Sequence, residues 1–189
     1  MLQPKLLIKI LDLLNENHID YMITGSLVSS IQGEPRATHD VDIVVNITNT
    51  AIFSLTRAFM PPDYYLSESA IEDAIQNKSM FNLLDTTEGD KADFWILTDE
   101  PFDQLRFARK HEENILGFSM KISSPEDTIL MKLRWAKLSG GSEKQFTDAL
   151  RVYEVQYANL DLDYMEEWAQ ALEIKEIWQR LKHEAQPLI

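Results

Sequence analysis

Asp40 and Asp42 alternate with Val41, Ile43 and Val45 in the run HDVDIVV. The β-branched residues predict a strand, whereas aspartate is among the poorest strand formers. A strand repeats with period two, so both carboxylates face one side, about 7 Å apart. Like charges there are costly unless a cation compensates them. Asp93, inside the later apolar run KADFWIL, adds a third carboxylate of the same kind. Three carboxylates on neighbouring strands form an all-oxygen donor set, which favours Mg2+, an ion usually completed by substrate phosphates. Gly25-Ser26 offers those phosphates a seat, because it stands where a strand gives way to a helix, and a helix N-terminus presents free backbone N–H groups. Metal-assisted phosphoryl or nucleotidyl transfer is the chemistry that needs both parts.

Those residues need elements to hold them. Residues 4–17 place Leu6, Leu7, Ile10, Leu13 and Leu14 on one helical stripe. IDYMITG alternates as a short strand, and SLVSSIQ resumes a helical pattern with Ser26 as its N-cap. A Gly/Pro loop, GEPRATH, leads into the Asp-x-Asp strand. TNTAIFSLTRAFM reads as a helix capped by Thr48 or Asn49 that ends before Pro61-Pro62, and another short helix is expected near 68–76. SMFNLLDT and KADFWIL, separated by Glu-Gly-Asp, predict an antiparallel hairpin, with PFDQLRFAR a helix after it and two strands near 111–116 and 118–122. From residue 124 the pattern is helical. Ser124, Pro125 and Asp127 form a capping-box arrangement, and Ser142 with Gln145 repeats it. DLDYMEEWAQAL and IKEIWQRLKHEA follow as amphipathic helices, whose Trp168 and Trp178 read as packing residues. The expected layout is an α/β (α+β) core over 1–123 and a helical region over 124–189.

Each candidate has a plainer reading. Gly25-Ser26 alone is a strand-to-helix turn, and Asp-x-Asp alone suits a solvated edge strand. Asp93 alone suits a hairpin charge, and Asp85 and Asp90 compete for its place. Their joint occurrence in this order favours the metal reading. Lys132, near the border of the buried side of its helix, is a candidate phosphate ligand as well as a snorkelling lysine. Arg36, in the loop before the strand, is placed to reach phosphate or acceptor, or simply solvent. Lys144 and Asp148 are spaced as an i, i+4 ion pair or as part of a second site. His39 points away from Asp40 and reads as structural, while His18, His111 and His183 lack ligand spacing.

Composition narrows the class. The chain has 189 residues, 44% apolar, with no cysteine, which excludes disulfides and thiolate metal sites and fits a reducing cytoplasm. No long apolar run predicts a membrane span, and the N-terminal stretch, with Asp12 and Glu16 in its apolar pattern, does not read as a signal peptide. The net charge of −13 argues against broad duplex nucleic-acid binding. Residues 121–150 are the only window that is not acidic, so counter-charge for an anion is expected there.

TGS, then HDVDIVV, then KADFWIL resembles the polymerase-beta-like nucleotidyltransferase superfamily: Gly-Ser, Asp-x-Asp and a third Asp on a separate strand. SPEDTILMKLRW and GGSEKQFTDAL resemble the AbiEii-type bacterial branch, which includes toxins of toxin–antitoxin systems. The resemblance implies that Gly25 and Ser26 hold the terminal phosphates of a nucleoside triphosphate, with Lys132 on the triphosphate. It assigns two Mg2+ ions to Asp40 and Asp42, and gives Asp93 a share of one metal and the task of orienting or deprotonating the acceptor hydroxyl. The implied reaction moves a nucleoside monophosphate, from ATP or another triphosphate, to an RNA end such as tRNA, a protein or a small molecule. A partner antitoxin is implied too. The alternative is a non-catalytic nucleotide-binding or regulatory module of the same fold.

Overall fold

A computed structural model describes residues 4–38, 40–115 and 117–187. The first half runs α1 (Pro4–Glu16), β1 (Asp20–Thr24), α2 (Gly25–Gln32), β2 (Asp40–Asn46), α3 (Ile52–Ala58), β3 (Tyr64–Leu66), α4 (Glu68–Asn77), β4 (Met80–Asp85) and β5 (Lys91–Ile96). Then come α5 (Pro101–Ala108), β6 (His111–Ile115), β7 (Phe118–Ile122), α6 (Pro125–Leu138), α7 (Glu143–Gln156), α8 (Leu162–Ala171) and α9 (Lys175–Glu184). This is the expected mixed α/β architecture with a helical C-terminal half. The chain divides into two compact units: Met1–Leu27 with Ala37–Ile122, and Val28–Arg36 with Ser123–Ile189.

The first unit is built on a seven-stranded mixed sheet of order β3-β4-β5-β2-β1-β7-β6. Its centre pairs β2 parallel to β5 and antiparallel to β1, and the expected hairpin is the antiparallel β4–β5 pair. The register explains why it holds. Phe81, Phe94, Ile43, Ile23 and Ile122 fall in one row across five strands, each almost wholly buried, with Phe81 and Phe94 stacked at 4.8 Å. Each such side chain contributes roughly 1.5–3 kcal/mol of burial. On the opposite face, Met22, Val44, Leu97 and Phe107 form a buried cluster with Trp95 packed against it. The α1 stripe is turned slightly from expectation: Leu11 is buried, whereas Leu13 is half-buried. The helix expected from Thr48 begins as a 3-10 turn, Asn49–Ala51, without a side-chain cap. The three-residue β3 escaped the sequence reading because it is too short to show a period.

The second unit is a helical cluster around Ile129, Leu130 and Leu133 of α6, Phe146, Ala149 and Val152 of α7, Met165 of α8, and Trp178 and Leu181 of α9, all buried. The Ser124 cap forms as expected, with its Oγ accepting from the Asp127 N–H at 3.2 Å. Ser142 occupies the cap position of α7 but makes no side-chain cap hydrogen bond. Trp178 is a packing residue, edge-to-face with Tyr153, and its Nε1 donates to Glu166 at 2.7 Å. Residues 28–36 belong here because Gln32 Nε2 donates to the Ser123 carbonyl at 2.7 Å. Gly33 also lies so close to α7 that an added Cβ would stand 2.8 Å from the Val152 nitrogen.

Candidate active site

One polar row crosses four strands of the first unit. The register sets Thr24 of β1 against Asp42 of β2, Asp42 against Asp93 of β5, and Asp93 against Asn82 of β4. Residues opposite one another in register share a face. Asp40, two residues before Asp42, lies on that same face and opposite Lys91. The structure thus brings Asp40, Asp42 and Asp93 onto one side of the sheet, where the apolar row of the other side fixes their strands. Asp40 is exposed and Asp42 half-buried.

The positive charge that the sequence demanded is in part supplied by the chain itself. Lys91 Nζ lies 2.9 Å from Asp93 Oδ2. The hydrogen bond to Asp93 raises the Lys91 ammonium above its ordinary value despite partial burial, and the fields of Asp93, Asp40 and Asp42 add to this. Asn82 donates to Asp93 Oδ1, and Trp95 Nε1 donates to Asp42 Oδ1 at 3.3 Å. None of these three neighbours was singled out in the sequence. Lys91 was legible, because period two puts it on the face of Asp93. Asn82 and Trp95 required the strand register and the fold of the indole.

Gly25 turns the chain from β1 into α2 with φ +70. A Cβ built on it would stand 1.9 Å from Asp42 Oδ2, so the glycine opens the space that the Asp42 carboxylate occupies. Because α2 begins at Gly25, Ser26 lies in its first turn instead of capping it. Asp85 and Asp90 are separated from Asp93 by their roles. Burial pushes Asp85 up, yet the Thr87 hydroxyl and the Glu88 and Thr87 amides outweigh it and hold the carboxyl below its ordinary value, as suits a turn-building aspartate. Asp90 is buried where the turn re-enters β5.

Among the described residues, no three carboxylate or imidazole side chains converge as a ready-made metal cage. The donor chemistry nevertheless fits a hard divalent cation. Mg2+ binds through one or two carboxylates plus waters and phosphates, without a closed protein cage.

The second unit holds the other candidates. Asp148 of α7 receives Arg36 in a two-pronged contact, Nε to Oδ1 at 2.9 Å and Nη2 to Oδ2 at 2.7 Å. Lys132 of α6 reaches the same Oδ2 at 2.8 Å, with only 5% of its side chain exposed. Burial pushes Asp148 up, but these two cations overcome it and hold the carboxyl below its ordinary value. The i, i+4 reading of Lys144 and Asp148 is therefore replaced by pairs between elements. Lys132 is buried and ion-paired, so it does not snorkel. The expectation for His39 lies outside the described residues.

No protein-family model and no curated protein matches the chain by sequence. Solved structures match it by shape. One is an antigenic nucleotidyltransferase-like protein from Paracoccidioides brasiliensis, 19% identical over 96% of this chain and 93% of that one, with a TM-score of 0.59. Another is ANT(2'')-Ia in complex with adenylyl-2''-tobramycin, 14% identical over 91% and 97%, at 0.58. A third is the lincosamide antibiotic adenylyltransferase LnuA with lincomycin bound, 16% identical over 82% and 98%, at 0.56. At such identities the likeness establishes the fold: this chain has a nucleotidyltransferase-like fold. Among the described residues, no helix is long and apolar enough to cross a membrane.

Proposed function

We propose that the chain is a Mg2+-dependent nucleotidyltransferase that moves a nucleoside monophosphate from a triphosphate to a hydroxyl and releases pyrophosphate. The observation that carries this reading is the shared face of Asp40, Asp42 and Asp93 beside the Gly25 turn. The nucleotidyltransferase-like fold supports it, as do two neighbours of that fold, an antibiotic adenylyltransferase and a protein solved with adenylyl-2''-tobramycin.

Asp40 and Asp42 would hold the metal, with Asp93 sharing it. When bound, the metal supplies charge stabilisation for the entering and leaving oxygens of an in-line displacement. The chain's own part is positional. Backbone N–H groups in the first turn of α2, at Gly25 and Ser26, receive the terminal phosphates. Asp93 Oδ1, oriented by Asn82, takes up the acceptor hydroxyl proton or aligns it. Arg36 and Lys132, both paired with Asp148, are the proposed further phosphate ligands.

The strongly acidic chain suits a small-molecule or protein hydroxyl better than a broad RNA surface. The AbiEii-type resemblance adds a toxin role with a cognate antitoxin; growth arrest on expression, relieved by Asp40→Ala/Asp42→Ala, would support that addition. The central test is calorimetric titration of the four nucleoside triphosphates with Mg2+ into wild type and Asp40→Ala/Asp42→Ala. Mg2+-dependent binding is expected in wild type, with a loss of at least about 100-fold in the double variant, on the scale of removing a charge-stabilising group. No binding to the folded wild type, or equal binding in both, would overturn the assignment.

A further inference from the structure

We propose that Lys91 is a tethered counter-cation of the carboxylate face, which occupies Asp93 in place of a divalent metal ion and yields it as metal arrives, thereby setting the metal concentration at which the site loads. The inference rests on the functional reading above, since it presumes that these carboxylates take a metal.

Three observations carry it. Lys91 Nζ sits 2.9 Å from Asp93 Oδ2, an oxygen that a metal shared by Asp42 and Asp93 would claim. In the parallel register Lys91 also stands opposite Asp40, so it lies close to all three acids. Its neighbour on the other side is Leu84 of β4, which offers no competing anion. The field of the three carboxylates on the ammonium agrees with this placement. Finally, the Lys91 side chain is 37% exposed, so its flexible stem has solvent to swing into once the carboxylate is taken. Lys132, at 5%, has no such freedom.

The role differs from ordinary surface pairing, because it makes removal of a favourable ion pair improve a binding site. Binding of Mn2+ alone, followed through the electron paramagnetic resonance signal of the free ion, reads it without any turnover. Lys91→Met is expected to bind Mn2+ about tenfold more tightly than wild type, a change on the scale of one partly exposed ion pair in a charged cluster. Lys91→Arg, which keeps the charge, is expected to stay near wild type. Lys91→Gln runs beside Lys91→Met, so that a folding failure of one variant leaves the other to decide, and circular dichroism confirms the fold of each. In chelator, Lys91→Met is expected to melt below wild type, with the gap closing as Mn2+ is added. If wild type binds Mn2+ and neither uncharged variant binds it more tightly, Lys91 is not the counter-cation while the metal reading stands. If no form binds Mn2+, and wild type and Asp40→Ala/Asp42→Ala are alike, the metal reading itself fails and takes this inference with it.

Discussion

The sheet face and the helical unit each hold a small ionic cluster, one built mainly of acids on strands and one of cations around a helix-borne acid. On the sheet, Asp93 pairs with Lys91, which also stands opposite Asp40. In the helical unit, two cations share one carboxylate. They differ in how the compensating charge is held. Lys91 comes in on a flexible, part-exposed stem, whereas the Asp148 side chain is 9% exposed and bound by three hydrogen bonds. One compensating charge is exchangeable; the other is structural.

Removing Asp148 tests that contrast most severely. Asp148→Asn leaves Arg36 and Lys132 without their anion, and breaking a buried pair from one side costs roughly 3 kcal/mol or more. Denaturant unfolding is expected to register that loss, against a far smaller change for Lys91→Met. The pH dependence carries a second signature. The folded-state carboxyl of Asp148 lies below its ordinary value of 3.8, so its contribution is complete above that value. As pH falls through 3.8 the unfolded chain takes up the proton first, and the contribution is lost by the time the folded carboxyl protonates. The stability gap between wild type and Asp148→Asn should stay flat from neutrality to about pH 5 and narrow below it. A gap that is small and independent of pH would make Asp148 as exchangeable as Lys91.

The same contrast explains what was legible in the sequence. Asp40, Asp42 and Asp93 were readable because strand period fixes which residues share a face, and because apolar runs on either side of them mark strands. The hairpin was readable from its turn. The Arg36–Asp148–Lys132 cluster was not, since it joins residues 112 and 16 positions apart through helix packing that no local period encodes. Local spacing instead suggested Lys144 for Asp148, a reasonable pairing on an isolated helix that two cations from other elements displaced. The extent of the helical unit was hidden for a similar reason: residues 28–36 join it through Gln32 and Gly33, and neither residue type announces a long-range contact.

A smaller effect is expected from Gly25→Ala, which probes how tightly the negative cluster is shaped. Alanine at φ +70 is strained whatever surrounds it, and here its Cβ would overlap Asp42 Oδ2 at 1.9 Å. Together these are expected to cost roughly 2 kcal/mol in denaturant unfolding, most of it as backbone strain. The clash also forces the Asp42 carboxylate off the row, so Mn2+ affinity should fall even at temperatures where the variant is fully folded. Unchanged affinity would mean that Asp42 has freedom to move, and that the face is less defined than the register implies.

The finest probe is Trp95→Phe. The indole body packs against Met22, Val44, Leu97 and Phe107, while its Nε1 donates to Asp42 Oδ1. Phenylalanine keeps most of the packing and removes the donor. At 3.3 Å this hydrogen bond is long, so its loss should cost no more than about 1 kcal/mol. The informative quantity is the direction in Mn2+ affinity. If the indole holds Asp42 in place for a cation, affinity drops a few-fold; if it competes for the same oxygen, affinity rises, as expected for Lys91→Met. A drop would set positioning by Trp95 against competition by Lys91 and show two neighbours of one carboxylate row acting in opposite senses. A rise would make the whole row self-satisfied, with every carboxylate to be freed before a cation can enter.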